Sequence, residues 1–367
     1  MRALCACRTA LLGGHLDSCS SCSYERPSYN SCRNRHCPKC QGLAQAAWVE
    51  ARMEKILPTH YFHLVFTLPQ QLRPLAHRNR RLIFHLLFEA ASETLLDLAR
   101  DKHRLGALLG VTAVLHTWTR DMSFHPHLHC VVTGGGLSKD EADWVKAKGS
   151  RFLFPVQVLS ALFRGKFLAG LVRLYKHGQL NLQGPCEALA DPDVFQILKD
   201  TLYHKRWVVY AKRPFGGPRQ VFAYLGHYTH RVAISNHRLL AAGDDSVRFK
   251  TKYGKTASMR PEEFIRRFLL HVLPKGFVKI RHYGLLAATH AKAKLAIARG
   301  LLEPTADTPQ APPDTTNPEP TTSRDYRVQM LTTTGLDITR CPRCGLGLLV
   351  RRPLFQEARS PPPPPPP

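Results

Sequence analysis

The residues best placed to do chemistry lie on one short stretch, Phe124-His125-Pro126-His127-Leu128-His129-Cys130-Val131-Val132. Its apolar end reads as a β-strand, on which alternate residues share a face. His127 and His129 then point one way while Leu128 turns into the core. Two imidazoles about 7 Å apart along a strand can take adjacent positions around one divalent ion. His125 falls on the same face but precedes a proline. A lone histidine is more often a satisfied core residue; three at alternate positions favour ligation. An H-x-H strand does not by itself fix a reaction, because several metal-dependent hydrolases use one.

A second constellation follows in Ala223-Tyr224-Leu225-Gly226-His227-Tyr228-Thr229-His230-Arg231. Apolar and aromatic residues at three- and four-residue spacing predict a helix. Tyr224 and Tyr228, four apart, would lie on one face about a turn from each other. A phenol with an ordinary pKa near 10 is a poor nucleophile at neutral pH. It needs a base, or a cation on the group it attacks, and the histidine strand could hold that cation.

The cysteines form a third group. Cys19-x2-Cys22 and Cys37-x2-Cys40 stand fourteen residues apart, and the spacing predicts one tetrahedral four-cysteine zinc site. Cys7, His15, Cys32 and His36 are candidates for a second zinc. Arg33, Arg35 and Lys39 lie between these ligands and could meet phosphate. Cys341 and Cys344, in CPRCG, supply only two ligands and need partners from elsewhere; Cys130 and Cys186 read as packed thiols.

The elements that must position these groups follow from the patterning. Residues 1–57 are cysteine-dense, the expected extent of a zinc-binding module. Residues 58–302 alternate strands with amphipathic helices: YFHLVFTLP, VTAVLHTWT and HPHLHCVVTGG read as strands, and LIFHLLFEAASETLLDLAR and PEEFIRRFLLHVL as helices. The glycine run Gly134 to Gly136 is expected to end its strand in a loop, and it lacks the Lys and Ser/Thr that would follow in a phosphate loop. Residues 303–325 are a Pro/Thr-rich linker, and 326–367 form a tail with the CPRCG knuckle and a disordered poly-proline end.

Among 367 residues, 52 Lys plus Arg oppose 27 Asp plus Glu, for a net charge of +25. With 44% hydrophobic residues the chain can still build a core, so the charge points to a polyanionic partner, nucleic acid first. No apolar run approaches the roughly 20 residues of a membrane span. Clustered CxxC pairs without a secretion signal suit a reducing cytoplasm, and a DNA partner would place the chain with the nucleoid.

These motifs together resemble a known family. His127-Leu128-His129 is similar to the HUH motif, with an apolar residue between two histidines, and Tyr224-x3-Tyr228 to the paired tyrosines of two-tyrosine HUH nucleases. SCRNRHCPKCQ, YFHLVFTLP, AKRPFGGP and FIRRFLLHVLPKGFVKIRHYG occur in the matching order. Over roughly residues 5 to 300 the chain resembles the rolling-circle insertion-sequence transposases of the IS-ninety-one family. VRFKTKYGKTASMRPEEF looks shorter than the corresponding family segment.

The resemblance implies an α+β protein with the HUH nuclease fold, an antiparallel sheet flanked by helices behind a small zinc-binding module. It implies a DNA transposase that cleaves and rejoins single-stranded DNA of element ends and target, with a homo-oligomer as a further option. Tyr224 and Tyr228 would be the nucleophiles, and His127 and His129 would hold Mg or Mn. The third ligand varies among such enzymes, and His125, His227 and His230 are the candidates. Besides Arg33, Arg35 and Lys39, the residues expected on DNA are Lys212, Arg213, Arg219 and Arg231, with the stretch from Arg266 to Arg281 as a further surface. The alternatives are an HUH replication initiator or relaxase, and a non-catalytic zinc-finger DNA-binding protein. The sequence has no GxxxxGK[ST] loop, which counts against a helicase fusion.

Overall fold

β-Branched and aromatic residues that alternate with polar ones, followed by long helices with one apolar stripe, need a sheet covered by helices. The computed structural model has that arrangement, and it describes residues 2–149, 153–212, 226, 232–303, 327–328, 330–331 and 335–354. The amino-terminal module contains α1 (Arg2–Cys5), the hairpin β1 (Gly14–Cys19) and β2 (Glu25–Tyr29), and α2 (Gly42–Met53). Then come β3 (Tyr61–Thr67), α3 (Arg73–Arg78), α4 (Arg80–Arg100), β4 (Leu108–Trp118), β5 (Phe124–Leu137), β6 (Trp144–Lys146), α5 (Val156–Lys176), α6 (Pro192–His204) and β7 (Val209–Lys212). The remaining elements are β8 (Leu239–Ala242), β9 (Val247–Lys250), β10 (Thr256–Met259), α7 (Pro261–Leu269), β11 (Ile280–Gly284), α8 (Ala291–Leu302) and β12 (Leu349–Leu354).

The main sheet runs β11-β4-β5-β3-β7, antiparallel throughout, with β6 on the far end of β5. Its two faces differ in chemistry. Phe62, Leu64 and Phe66 of β3, Val111, Ala113 and Leu115 of β4, and Leu128, Cys130 and Val132 of β5 share one face and are all buried. α4 brings Phe84, Leu87, Phe88, Ala91 and Leu95 onto them, and α5 brings Leu159, Phe163, Phe167 and Leu171. At about 1.5–3 kcal/mol for each large apolar side chain removed from water, this layer dominates the stability of the sheet. The opposite face carries His63, His125, His127 and His129 by strand alternation, with His116 and His282 in matching register. Cys130 and Cys186 are buried thiols, as expected.

The glycine run departs from expectation. Gly134, Gly135 and Gly136 do not leave the sheet; they continue β5 to Leu137 and are buried. A Cβ at these positions would lie 2.6 Å from the His60 carbonyl oxygen, 2.5 Å from that of Val145 and 2.4 Å from that of Leu108. Neighbouring backbones approach so closely that only glycine fits.

The carboxy-terminal strand is built into the amino-terminal module. β12 pairs antiparallel with β1, Gly14 opposite Leu354 and Cys19 opposite Leu349, in the order β12-β1-β2. Asp17, on β1, is buried and accepts a hydrogen bond from Arg351 Nε at 3.0 Å. The module also docks on the main-sheet portion. Arg35 donates to the carbonyl oxygens of Phe277 at 2.7 Å and Pro274 at 2.9 Å, just beyond α7.

Candidate active site and zinc centres

β5 is a central strand, so the side chains on its histidine face have a neighbouring strand on each side. Register places His116 of β4 directly opposite His127. One ring nitrogen from each of His116, His127 and His129 can come within 4.8 Å of the other two, a grouping able to hold a metal ion. Burial keeps all three neutral: it lowers His127 to about 4, and His116 and His129 well below their ordinary value. Neutral imidazoles offer lone pairs, the state a metal requires.

The surrounding groups orient these rings. His127 Nδ1 stands 2.6 Å from the carbonyl oxygen of His125, so Nδ1–H donates there and Nε2 is left as the ligand atom. His129 Nδ1 lies 2.8 Å from His63 Nε2. For His129 to present a free Nε2 lone pair, its Nδ1–H donates to His63. His125 itself receives Arg73 at 3.2 Å and is not in the cluster. The remaining third-ligand candidates, His227 and His230, lie outside the described residues, as do Tyr224, Tyr228, Arg213, Arg219 and Arg231. Gly226, between the tyrosines in sequence, is described; it is helical and buried, and a Cβ on it would stand 2.3 Å from the Val49 side chain of α2.

His116 was not among the expected ligands. It is the one histidine in VTAVLHTWT, the strand joined to the H-x-H strand by a short turn, and hairpin pairing of those two strands was the available signal.

The cysteines group differently from the spacing expectation. Cys19 and Cys22 do not share a site with Cys37 and Cys40. One group is Cys7, Cys32, Cys37 and Cys40; the other is Cys19, Cys22, Cys341 and Cys344. The β1–β2 hairpin causes the split. It leaves Cys19 and Cys22 at its turn, where β12 brings the CPRCG knuckle, and returns the chain past Cys7 before Cys32. Neither His15 nor His36 belongs to a cysteine group: His15 Nε2 lies 3.5 Å from Asp17, and His36 stands beside Asn34 Oδ1 and the Leu273 N–H.

Both groups fit zinc. Four sulfurs at about 2.3 Å from a tetrahedral ion lie about 3.8 Å from one another. Cys19 to Cys344 and Cys22 to Cys341 are each 3.7 Å, and Cys32 to Cys40 is 3.8 Å. Backbone N–H groups point at the sulfurs, from Ser21 to Cys19, Arg343 to Cys341 and Gly347 to Cys344. The Gly347 and Leu346 amides draw Cys344 down to about 6.

Of the basic residues expected on DNA, Arg33 and Lys39 are exposed. Arg35 is not: its guanidinium is taken up by the Phe277 and Pro274 carbonyls, which makes it a strut between module and sheet. Lys212 is the last residue of β7, opposite His63. In the 266–281 stretch, Arg266 and Arg267 both pair with Glu263, and Arg281 lies over the Phe88 ring at 4.2 Å.

A family profile described as "Putative transposase" matches residues 110–294, and one described as "Transposase zinc-binding domain" matches residues 1–68. An enzyme acting on DNA, with a zinc-binding module ahead of a helix-covered antiparallel sheet, is the class these matches and the fold define. The chain is 45% identical over 367 residues, 98% of its own length and 90% of the relative's, to "Putative transposase y4qJ" of Sinorhizobium fredii (strain NBRC 101917 / NGR234). It is 29% identical over 294 residues, 77% of its length and 68% of the relative's, to "Transposase for insertion sequence element IS801" of Pseudomonas savastanoi pv. phaseolicola. The chain belongs to the IS-ninety-one family of insertion-sequence transposases. No helix among the described residues is long and apolar enough to cross a membrane.

Proposed function

We propose that this transposase cleaves and rejoins single-stranded DNA through a 5′-phosphotyrosine, with Tyr224 and Tyr228 as nucleophiles and His116, His127 and His129 as the holders of Mn or Mg. The observation that carries the reading is the convergence of three neutral imidazoles, His116 buried and His127 and His129 partly so, on the central strands of an antiparallel sheet. Three nitrogen donors, with no carboxylate grouped with them among the described residues, suit a transition ion such as Mn better than Mg. When bound, the ion would polarise a phosphate oxygen and stabilise the charge gathered at phosphorus.

The chain's own residues do the rest. A tyrosine oxygen forms a bond to phosphorus while the bond from phosphorus to the 3′ oxygen breaks. The phenolic proton is lost to solvent or a neighbouring base, and the departing 3′ oxygen ends as a hydroxyl. The ester energy is retained, so a 3′-hydroxyl of another strand can reverse the step and join DNA. Gly226 lies against Val49 of α2, and Trp48 and Met53 of that helix pack with Tyr61 and Val131 of the histidine-bearing strands. Two tyrosines would let one hold a strand while the other takes the next.

The test incubates the full-length protein with labelled single strands covering the element ends, with Mn or Mg. A denaturation-resistant protein–DNA adduct is expected, and no adduct with wild type on any strand would overturn the reading. An adduct that survives in the Tyr224→Phe, Tyr228→Phe double variant would overturn the assignment of the nucleophiles.

A further inference from the structure

A cavity of about 720 Å³ lies between α2, β11 and α8, apart from the three-histidine cluster, and Arg52, Lys55, Lys292 and Arg299 line it. Among the described residues, Glu54 is the only carboxylate in its wall. Four cations around one acid repel one another unless an anion enters. Arg52 adds a second, independent observation: its Nε is sealed from solvent and has no hydrogen-bond partner. A buried guanidinium donor left unsatisfied is costly and calls for an acceptor.

The neighbouring contacts turn this cation toward an exogenous acceptor rather than a protein carboxylate. Arg52 Nη1 donates to His282 Nε2 at 2.7 Å, and His282 Nδ1–H then donates to Thr112 Oγ1 at 3.0 Å. Burial keeps His282 neutral, so it braces Arg52 without cancelling its charge. Planar guanidinium and flexible ammonium groups around a water-accessible cavity suit phosphate oxygens.

Register places this cavity on the same sheet face as the histidines. His282 stands opposite Thr112, four residues along β4 from His116, a run of about 13 Å. We infer that the cavity is a second phosphate site, which holds the backbone of the DNA strand a few nucleotides from the position being cleaved. This inference rests on the single-strand reading above, and it adds a place where the strand is gripped, formed where α2 and the residues after it meet β11 and α8, to the basic residues Arg33 and Lys39 of the module.

The experiment reads binding alone, so it stays informative even if no adduct ever forms. The full-length protein is titrated with a fluorescent single strand at several salt concentrations. Lys55→Glu with Lys292→Glu, both exposed and free to fold, removes two cavity cations. The slope of log K against log salt should become shallower by about 1.4, at roughly 0.7 per phosphate contact. A matched pair on the helical side, Lys102→Glu with Lys176→Glu, makes the same charge change and should leave the slope unmoved. Equal loss in both pairs, or none in either, overturns the site. If inorganic phosphate at low millimolar concentration binds the wild type while the strand's slope is the same in wild type and the cavity variant, the cavity takes free phosphate and the strand assignment is wrong.

Discussion

Cys19 and Cys344 stand 325 positions apart in the chain, and their sulfurs are 3.7 Å apart. One half of a four-cysteine site therefore comes from the amino-terminal hairpin and the other half from the last described strand segment.

Zinc content should divide along this line. Wild type is expected to bind two zinc ions per chain. Cys341→Ser with Cys344→Ser should release one and leave the other, and Cys37→Ser with Cys40→Ser should do the converse. Metal analysis of the purified variants reads the outcome. Two ions retained in the Cys341/Cys344 variant would contradict the grouping.

His116 should matter to the catalytic metal as much as the two histidines of the H-x-H strand. His116→Ala and His127→Ala are each expected to weaken Mn binding at least 10-fold, with zinc content unchanged. His63→Phe, which removes the partner of His129 Nδ1, should cost roughly 10–100-fold. Isothermal titration with Mn compares them, and His125→Ala serves as the variant expected to change little.

Acid should weaken the fold through His271. It is buried, its Nε2–H donates to the Met122 carbonyl at 3.0 Å, and its Nδ1 accepts from Thr117. Burial lowers it to about 4 from 6.5. Between these values the unfolded chain binds a proton that the folded chain refuses, so stability falls as pH drops from about 6.5 to 4 and is flat on either side. The full loss is about 3 kcal/mol. Urea melts at pH 7 and 4.5 should show a smaller acid loss in His271→Asn than in wild type.

Gly226 and Val49 should be coupled. Gly226→Ala drives a methyl group to within 2.3 Å of Val49, an overpacking expected to cost about 1–3 kcal/mol. Val49→Ala should restore much of that loss. A double-mutant cycle by chemical denaturation with near-zero coupling would show that the two residues do not touch.

The α+β class and the H-x-H strand were legible because period-two alternation and an apolar face are local properties. What failed was non-local. Which CxxC pairs share an ion depends on a hairpin and on a strand that arrives more than 300 residues later, and spacing carries no such information. His116 was hidden because cross-strand register sets its place beside His127, and the pattern along its own strand does not. Gly134 to Gly136 misled for a related reason: local propensity says loop, while the close backbones of β4, β6 and His60 demand residues without side chains. Arg35 looked like a phosphate contact until its carbonyl partners on the far side of α7 were visible.

The pairing of β12 with β1 also sets a schedule. On a ribosome that adds about 5–20 residues per second, β1 waits on the order of tens of seconds for the strand that completes its sheet. Until then Asp17 lacks Arg351, and two of the four sulfurs of that site do not yet exist. A hairpin is thus made more than 300 residues before its metal cage can be finished, and a chain cut short between Cys22 and Cys341 lacks two of the four sulfurs that close it.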